Sequence, residues 1–122
     1  MQYLCLVYID ERESDKLSET EGKRMTNDAL DYDDELRSGG HYVEAAALQP
    51  VSAATTVRVR NSKTSTTDGP FAETKEHLGG FILIEARDLN EAIQLASKIP
   101  MARIGSIEVR PVMPLERTDL GD

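Results

Sequence analysis

A continuous apolar run near the N-terminus places the strongest constraint on how this chain folds. The run extends from Tyr3 to Ile9 and ends at the acidic pair Asp10 and Glu11. It is too short for most helices and rich in strand-forming residues. Because successive strand residues point to opposite faces, both faces of this strand are apolar. We therefore expect a strand that is central in its sheet or covered on both sides.

Two segments carry the start signals and the spacing of amphipathic helices. The first begins with a capping box formed by Ser18 and Glu21, and the second with the variant formed by Asp88 and Glu91. Apolar residues then recur every three or four positions, which predicts one buried face for each helix. The buried faces consist of Met25, Ala29, Tyr32 and Leu36 in the first helix and of Leu89, Ala92, Ile93 and Ala96 in the second.

Shorter strand-forming segments lie before, between and after these helices. The predicted strands are 41–45, 55–60, 64–67, 81–86 and 107–112. Segment 55–60 alternates Thr or Val with Thr or Arg, which is typical of a half-solvated antiparallel strand. The order is β-α-β-β-α-β with an extra hairpin, and it predicts a ferredoxin-like α+β fold. The second apolar face of the first strand predicts a homodimer packed sheet to sheet.

Length and charge restrict the classes of function. The chain has 122 residues, which we divide into one domain over 1–112 and a short acidic tail over 113–122. The net charge of −8 argues against direct nucleic-acid binding, which needs a basic surface.

No segment has the ~20 apolar residues of a membrane helix, and no signal peptide is recognisable. With Cys5 as the single cysteine, expected to be buried and inert, we predict a reduced cytoplasmic location.

The segment from Asp68 to Phe81 holds the densest group of residues with useful chemistry. The candidate catalytic residues are Glu73, Lys75 and His77, together with His41 from another part of the chain. A carboxylate beside a lysine acquires a shifted pKa when a cleft desolvates both groups. A histidine exchanges protons near neutral pH. The alternative is a charged loop that is simply solvated.

Other residues of this region are candidates for binding or for structure. Asp68, Arg58 and Arg60 are candidate ligand-binding residues, because arginine forks bind anions. In the alternative interpretation, the two arginines only offset the excess of acidic residues in the chain. The predicted structural residues of the motif are Asp68, Gly69, Pro70, Phe71, Gly79 and Gly80. We expect the Asp68 carboxylate to accept backbone N–H groups of its own loop, and Phe71 to be largely buried in the core or in a dimer seam.

The motifs of metal and cofactor sites are not recognisable in the sequence. Glu73, Glu76 and His77 offer oxygen and nitrogen ligands, but their spacing matches no established metal motif. A phosphate-binding loop, a dinucleotide-binding glycine pattern and a nucleophile elbow are all missing. We therefore predict neither a metal site nor a cofactor.

Several segments resemble the DGPF-type branch of the YCII-related proteins. The central segment reads DGPFAETKE over residues 68–76 and continues as HLGGFILIE. Supporting segments are MQYLCLVY at the start, ALQPVSAATTVRVR before the motif and GSIEVRPV near the end. The resemblance covers about residues 1–112. It implies a ferredoxin-like α+β fold that forms a dimeric α/β-barrel-like assembly.

The resemblance implies less about activity. The wider YCII group includes a dehydrochlorinase-like enzyme, for which a His–Asp pair of the first helix is proposed as catalytic. Residues 23–36 of this chain contain no histidine, and no aspartate stands in the expected place, so the pair does not carry over. Members of the branch are often encoded near extracytoplasmic-function sigma factors, which implies an accessory role.

Two functions from different classes follow. In the first, the protein is a small-molecule-binding domain or enzyme whose site lies between the sheet and the DGPF loop. In the second, it is a non-catalytic interaction module that accompanies a sigma factor or another transcription regulator. A concave pocket that gathers Glu73, Lys75 and His41 would favour the first, and a loop without a pocket would favour the second.

Overall fold

The computed structural model describes residues 1–121 and has an α+β architecture; Asp122 of the predicted tail lies outside the described residues. The strands are β1 (Gln2–Ile9), β2 (Tyr42–Ala47), β3 (Thr55–Arg60), β4 (Lys63–Asp68), β5 (His77–Glu85) and β6 (Ser106–Pro111). The helices are α1 (Glu11–Ser14), α2 (Glu19–Ser38) and α3 (Leu89–Ser97), with 3-10 turns at Val51–Ala53 and Pro100–Arg103.

The main sheet has the strand order β2-β5-β1-β6, and every neighbouring pair is antiparallel. Strand β1 pairs on one side with β5 and on the other with β6, so that Cys5 faces Ile82 and Val109 across the two ladders. The prediction of a central first strand is therefore confirmed. Strand β5 begins earlier than predicted, at His77, and includes the glycine pair of the motif.

Both main helices begin as predicted from their capping residues. The Ser18 hydroxyl accepts the Glu21 N–H, while the Glu21 carboxylate accepts the Ser18 N–H. Asp88 accepts the Glu91 N–H at 2.9 Å. These bonds satisfy N–H groups that have no partner inside the helix, and they fix where each helix starts.

The helices cover one face of the main sheet and enclose the core. Cys5 and Ile84 are almost completely buried there, beside Leu36 of α2 and Ala92 of α3. The Tyr32 hydroxyl of α2 donates to the Leu95 carbonyl of α3 at 2.6 Å and links the two helices. Burial raises the pKa of the Cys5 thiol to about 11, so it stays protonated and inert at neutral pH.

The opposite face of the sheet, which we call the open face, is apolar but carries no helix of residues 1–121. Leu4 lies opposite Leu83, and Leu6 lies opposite Phe81, across the β1–β5 ladder. These four side chains are only half-buried, and they do not belong to the core cluster. Of the two apolar faces of β1, one is therefore covered by helices in the protomer and the other is open.

Strands β3 and β4 form a separate two-stranded hairpin beside the main sheet. Asn61 and Ser62 make its turn with φ angles of 52° and 63°, the left-handed pair that matches the twist of a hairpin. The extra hairpin was predicted, but its half-burial was not confirmed. Val57 and Val59 are 60% and 57% exposed, because no other part of the described chain covers their face.

Candidate functional site

The DGPF loop, residues 68–76, connects the hairpin to the main sheet and is fastened at both of its ends. At its start, the Gly69 N–H donates to the Ala54 carbonyl at 2.8 Å, and the Thr56 hydroxyl donates to the Gly69 carbonyl at 2.9 Å. Gly69 has a φ of +101°, a conformation that residues with a Cβ rarely adopt. At the end of the loop, the Ser106 hydroxyl of β6 lies 3.2 Å from both carboxylate oxygens of Glu76.

Contrary to the prediction from the sequence, the Asp68 carboxylate does not accept the backbone N–H groups of its own loop. Asp68 is the last residue of β4, opposite Thr55, and its side chain is exposed. Its carboxylate makes no hydrogen bond or ion pair within the part of the chain that the structure describes. Thr56 takes the role instead, because its hydroxyl reaches the carbonyl of Gly69 from the neighbouring strand.

The prediction that Phe71 is buried in the core is wrong for the protomer. Its side chain is 80% exposed. Phe71 lies in the loop between β4 and β5, and it does not belong to the core cluster. Phe71 instead forms one wall of a surface cleft.

This motif cleft has a volume of about 620 Å³ and a largely apolar lining. Its apolar residues are Tyr8, Leu48, Val51, Ala54, Pro70, Phe71, Ala72 and Leu78. Its polar lining residues are Gln49, Thr55, Thr56, Thr74, Glu76 and His77. A concave apolar surface with a few polar groups is the usual composition of a small-molecule site.

A polar depression of about 470 Å³ adjoins the cleft on the other side of His77. Glu73 and Lys75 line it together with residues of α1 and its cap. Asp10 binds Arg12 through two hydrogen bonds of 3.0 and 3.1 Å. This pairing holds the pKa of Asp10 below its usual value, and the positive charge of Lys75 acts in the same direction.

The predicted site residues fall into two groups. Glu73, Lys75 and His77 come together around the polar depression, as their closeness in sequence suggested. His41 does not join them, because it lies beside Glu85, at the opposite end of β5 from His77. Its Nδ1 atom is 2.8 Å from the Glu85 carbonyl oxygen.

The arginines of the hairpin also lie apart from the cleft. Arg58 and Arg60 are exposed on β3, and neither lines the cleft or the polar depression. Arg60 bonds the carbonyl of its neighbour Val59 at 3.0 Å. Gly80 of the motif has a packing role, since a Cβ there would lie 2.6 Å from the Ala46 carbonyl oxygen of β2.

Sequence reasoning missed Tyr8, which lines the cleft, and Ser106, which bonds the cleft residue Glu76. Tyr8 falls on the same side of β1 as Leu4 and Leu6, so the two-residue period of the strand placed it on the open face. Ser106 of β6 pairs with Tyr8 of β1 and bonds Glu76. This placement depends on the long-range register of the strands, which no local sequence pattern reveals.

The side-chain groups and helices of residues 1–121 bear on metal binding and on membrane insertion. Nowhere in that range do three or more His, Cys, Asp or Glu side chains group in a way that would hold a metal ion. None of the helices in that range is long and apolar enough to cross a membrane.

Comparison with known proteins places the chain in a family. The family model of the YCII-related domain matches residues 1–116. The chain is also similar to an uncharacterized protein of Rhizobium meliloti (strain 1021), R00369, with 39% identity over 114 residues, which are 92% of each chain. The match spans the main sheet, both long helices, the hairpin and the DGPF loop. The chain therefore belongs to the YCII-related domain family.

Proposed function

We propose that this protein is a small-molecule-binding domain of the DGPF branch, with its site in the motif cleft. The observation that carries the proposal is the cleft itself, in which the Tyr8 and Phe71 rings border an apolar space next to His77 and Glu76. The DGPFAETKE segment supplies both an apolar wall and polar groups of this space. The expected ligand has a flat apolar part and at least one polar group.

The polar residues in and beside the cleft suggest how such a ligand is oriented. Ser106 holds the Glu76 carboxylate in place, so it is an acceptor of fixed position. His77 lines both the cleft and the polar depression, and its ring nitrogens can form hydrogen bonds with a ligand. Lys75 and Arg12 add positive charge beside it. If the protein is an enzyme, His77 and Glu76 are the residues that would move protons.

We also propose a ferredoxin-like protomer that forms a homodimer in the cytoplasm. The β-α-β-β-α-β order and the strand order β2-β5-β1-β6 support the fold assignment. The open face supports dimerisation, because Leu4, Leu6, Phe81 and Leu83 present an apolar surface without a helix. Obligate dimers bury more than about 2,000 Å², an area that a four-stranded sheet face can supply.

A thermal-shift screen of a metabolite library tests the proposed site. A true ligand stabilises the native state, by about 2.7 kcal/mol when its concentration is a hundred times Kd. We expect hits on the wild type to disappear with Phe71→Ser and to weaken with His77→Ala. The matched control is His41→Gln, since this histidine lies at the far end of β5. Hits that persist in both cleft variants would show that the site is elsewhere.

A second candidate function is an interaction module for a sigma factor or another transcription regulator. The observation that favours it is the 80% exposure of the Phe71 ring, which is a large apolar surface to leave in water. In this case the library yields no hits. Gel filtration with an extracytoplasmic-function sigma factor then gives a complex that Phe71→Ser prevents and His41→Gln retains.

A further inference from the structure

A second cavity lies on the other side of the sheet from the open face, between α2 and strands β2 and β5. Its volume is about 390 Å³, and apolar atoms make up most of its surface. Met25, Ala29 and Leu30 of α2 form one wall. Leu30 stands at its mouth and is 58% exposed, so the cavity is open to solvent.

The cavity exists because small residues face the helix at successive positions of the sheet. Ala45 lies opposite Ile82, and Ala47 lies opposite Gly80, on the face that α2 covers. In place of large side chains, these strand positions present methyl groups and a hydrogen atom. The glycine cannot be enlarged, since a Cβ at Gly80 would meet the Ala46 carbonyl at 2.6 Å. The helix therefore spans a hollow that the protein itself does not fill.

One carboxylate borders this apolar space. Asp33 of α2 lines the cavity and is half-buried, and within residues 1–121 its carboxylate has no hydrogen bond or ion pair. The nearby Arg37 is engaged elsewhere, because it binds Asp34 at 2.7 Å and stacks on the Tyr42 ring. Burial raises the pKa of Asp33 above its usual value, although the charge of Arg37 opposes the shift.

We propose that this cavity binds a small apolar amine, whose hydrocarbon part fills the space between α2 and the sheet and whose ammonium group pairs with Asp33. The apolar walls select a hydrocarbon, and the carboxylate selects a cation over an anion. An ammonium at this position satisfies an acid that is otherwise desolvated without a partner. The site is separate from the motif cleft, because the two share no lining residue.

Titration calorimetry with 4-phenylbutylamine and its alcohol analogue 4-phenylbutan-1-ol tests the proposal on the full chain. We expect the amine to bind more tightly than the alcohol. Asp33→Asn should weaken amine binding roughly tenfold or more, because a charge-assisted bond is lost. Asp31→Asn is the matched control, since this exposed carboxylate of α2 lies outside the cavity, and it should change affinity less than twofold.

A cavity-filling variant and amide spectra locate the site. Ala29→Leu should abolish binding without lowering the melting temperature, because the new side chain occupies the hollow. In two-dimensional NMR spectra, the amine should shift the amides of Ala29, Ala45 and Gly80. Amine binding that Asp33→Asn and Ala29→Leu both leave unchanged would overturn the proposal. So would an absence of amine binding, or shifts confined to Phe71 and His77, which would assign the amine to the motif cleft.

Discussion

The β1–β5 ladder and the β3–β4 hairpin are both antiparallel pairs, yet they have opposite relations to water. In the first, Cys5 and Ile84 are almost fully buried under the helices. In the second, Val57 and Val59 are more than half exposed, although their strand alternates apolar and polar residues. Backbone pairing extends along both ladders, with one register shift between Val7 and Tyr8 in the first. The difference lies in what covers the side chains, and coverage is set by chain segments distant in sequence.

This comparison bears on the stability of the hairpin. A two-stranded hairpin alone is at best marginally stable in water. Here the bonds of Gly69 with Ala54 and Thr56 join the two strands at the base of the hairpin, and the rest of the hairpin depends on its own cross-strand pairs. A second copy of the chain that covered the valines would add the missing burial.

The largest effect is expected when a side chain of the covered ladder is truncated. Ile84 is 1% exposed, and Ile84→Ala should lower the free energy of unfolding by about 2–5 kcal/mol. Val57→Ala in the hairpin removes a similar side chain but should cost less than about 1 kcal/mol. Urea denaturation monitored by circular dichroism measures both.

Protein concentration sharpens this test. If a second copy covers the hairpin, the cost of Val57→Ala should rise with concentration, and light scattering should give the mass of two chains. If Val57→Ala proved as costly as Ile84→Ala at every concentration in a monomeric sample, the hairpin would be buried within the protomer. The contrast between the two ladders would then be wrong.

The parts of the fold that could be predicted from sequence depend on local chemistry. The capping boxes at Ser18 and Asp88 fixed the helix starts, and the apolar run at Tyr3–Ile9 fixed the central strand. The hairpin was also predicted, from the strand-forming segments 55–60 and 64–67. The exposure of Val57 was not, because an alternating strand shows which face is apolar but not whether another segment lies over it.

The candidate site was predictable only where its residues are close in sequence. Glu73, Lys75 and His77 gather because they share one loop and the start of β5. Grouping them with His41 failed, since the pairing of β2 with β5 places His41 at the Glu85 end of the sheet. Phe71 was expected inside because it is large and apolar. Its exposure follows from the path of the loop outside the core, which no residue type encodes.

A smaller, pH-dependent effect is expected at the start of α3, within the covered region. Asp88 accepts the Glu91 N–H, and this bond holds the pKa of Asp88 below its usual value. The carboxyl group of an aspartate in an unfolded chain has a pKa of about 3.9. Because the folded pKa is lower, the carboxylate contributes its stabilisation above that pH and loses it as the pH falls through the folded pKa.

Thermal melts of Asp88→Ala between neutral and acidic pH measure this contribution. We expect a lower melting temperature than wild type at pH 7, and a gap that closes in acid as the wild-type carboxylate is protonated. Asp88→Asn keeps an acceptor oxygen and should lose less. A gap that widened in acid would mean that the charged carboxylate does not stabilise the helix start.

The smallest effects distinguish the two residues at the base of the hairpin. Thr56→Val retains the shape and strand preference of the side chain but removes the hydroxyl that donates to Gly69. It should cost about 1 kcal/mol, whereas Thr56→Ser should restore most of the loss. Asp68→Ala should change stability by less than about 0.5 kcal/mol, since its exposed carboxylate contacts no donor within residues 1–121. A ranking in which Asp68→Ala costs more than Thr56→Val would return the anchoring of the DGPF loop to the aspartate. The base of the hairpin would then be closed by the Asp68 carboxylate rather than by the bonds of Gly69.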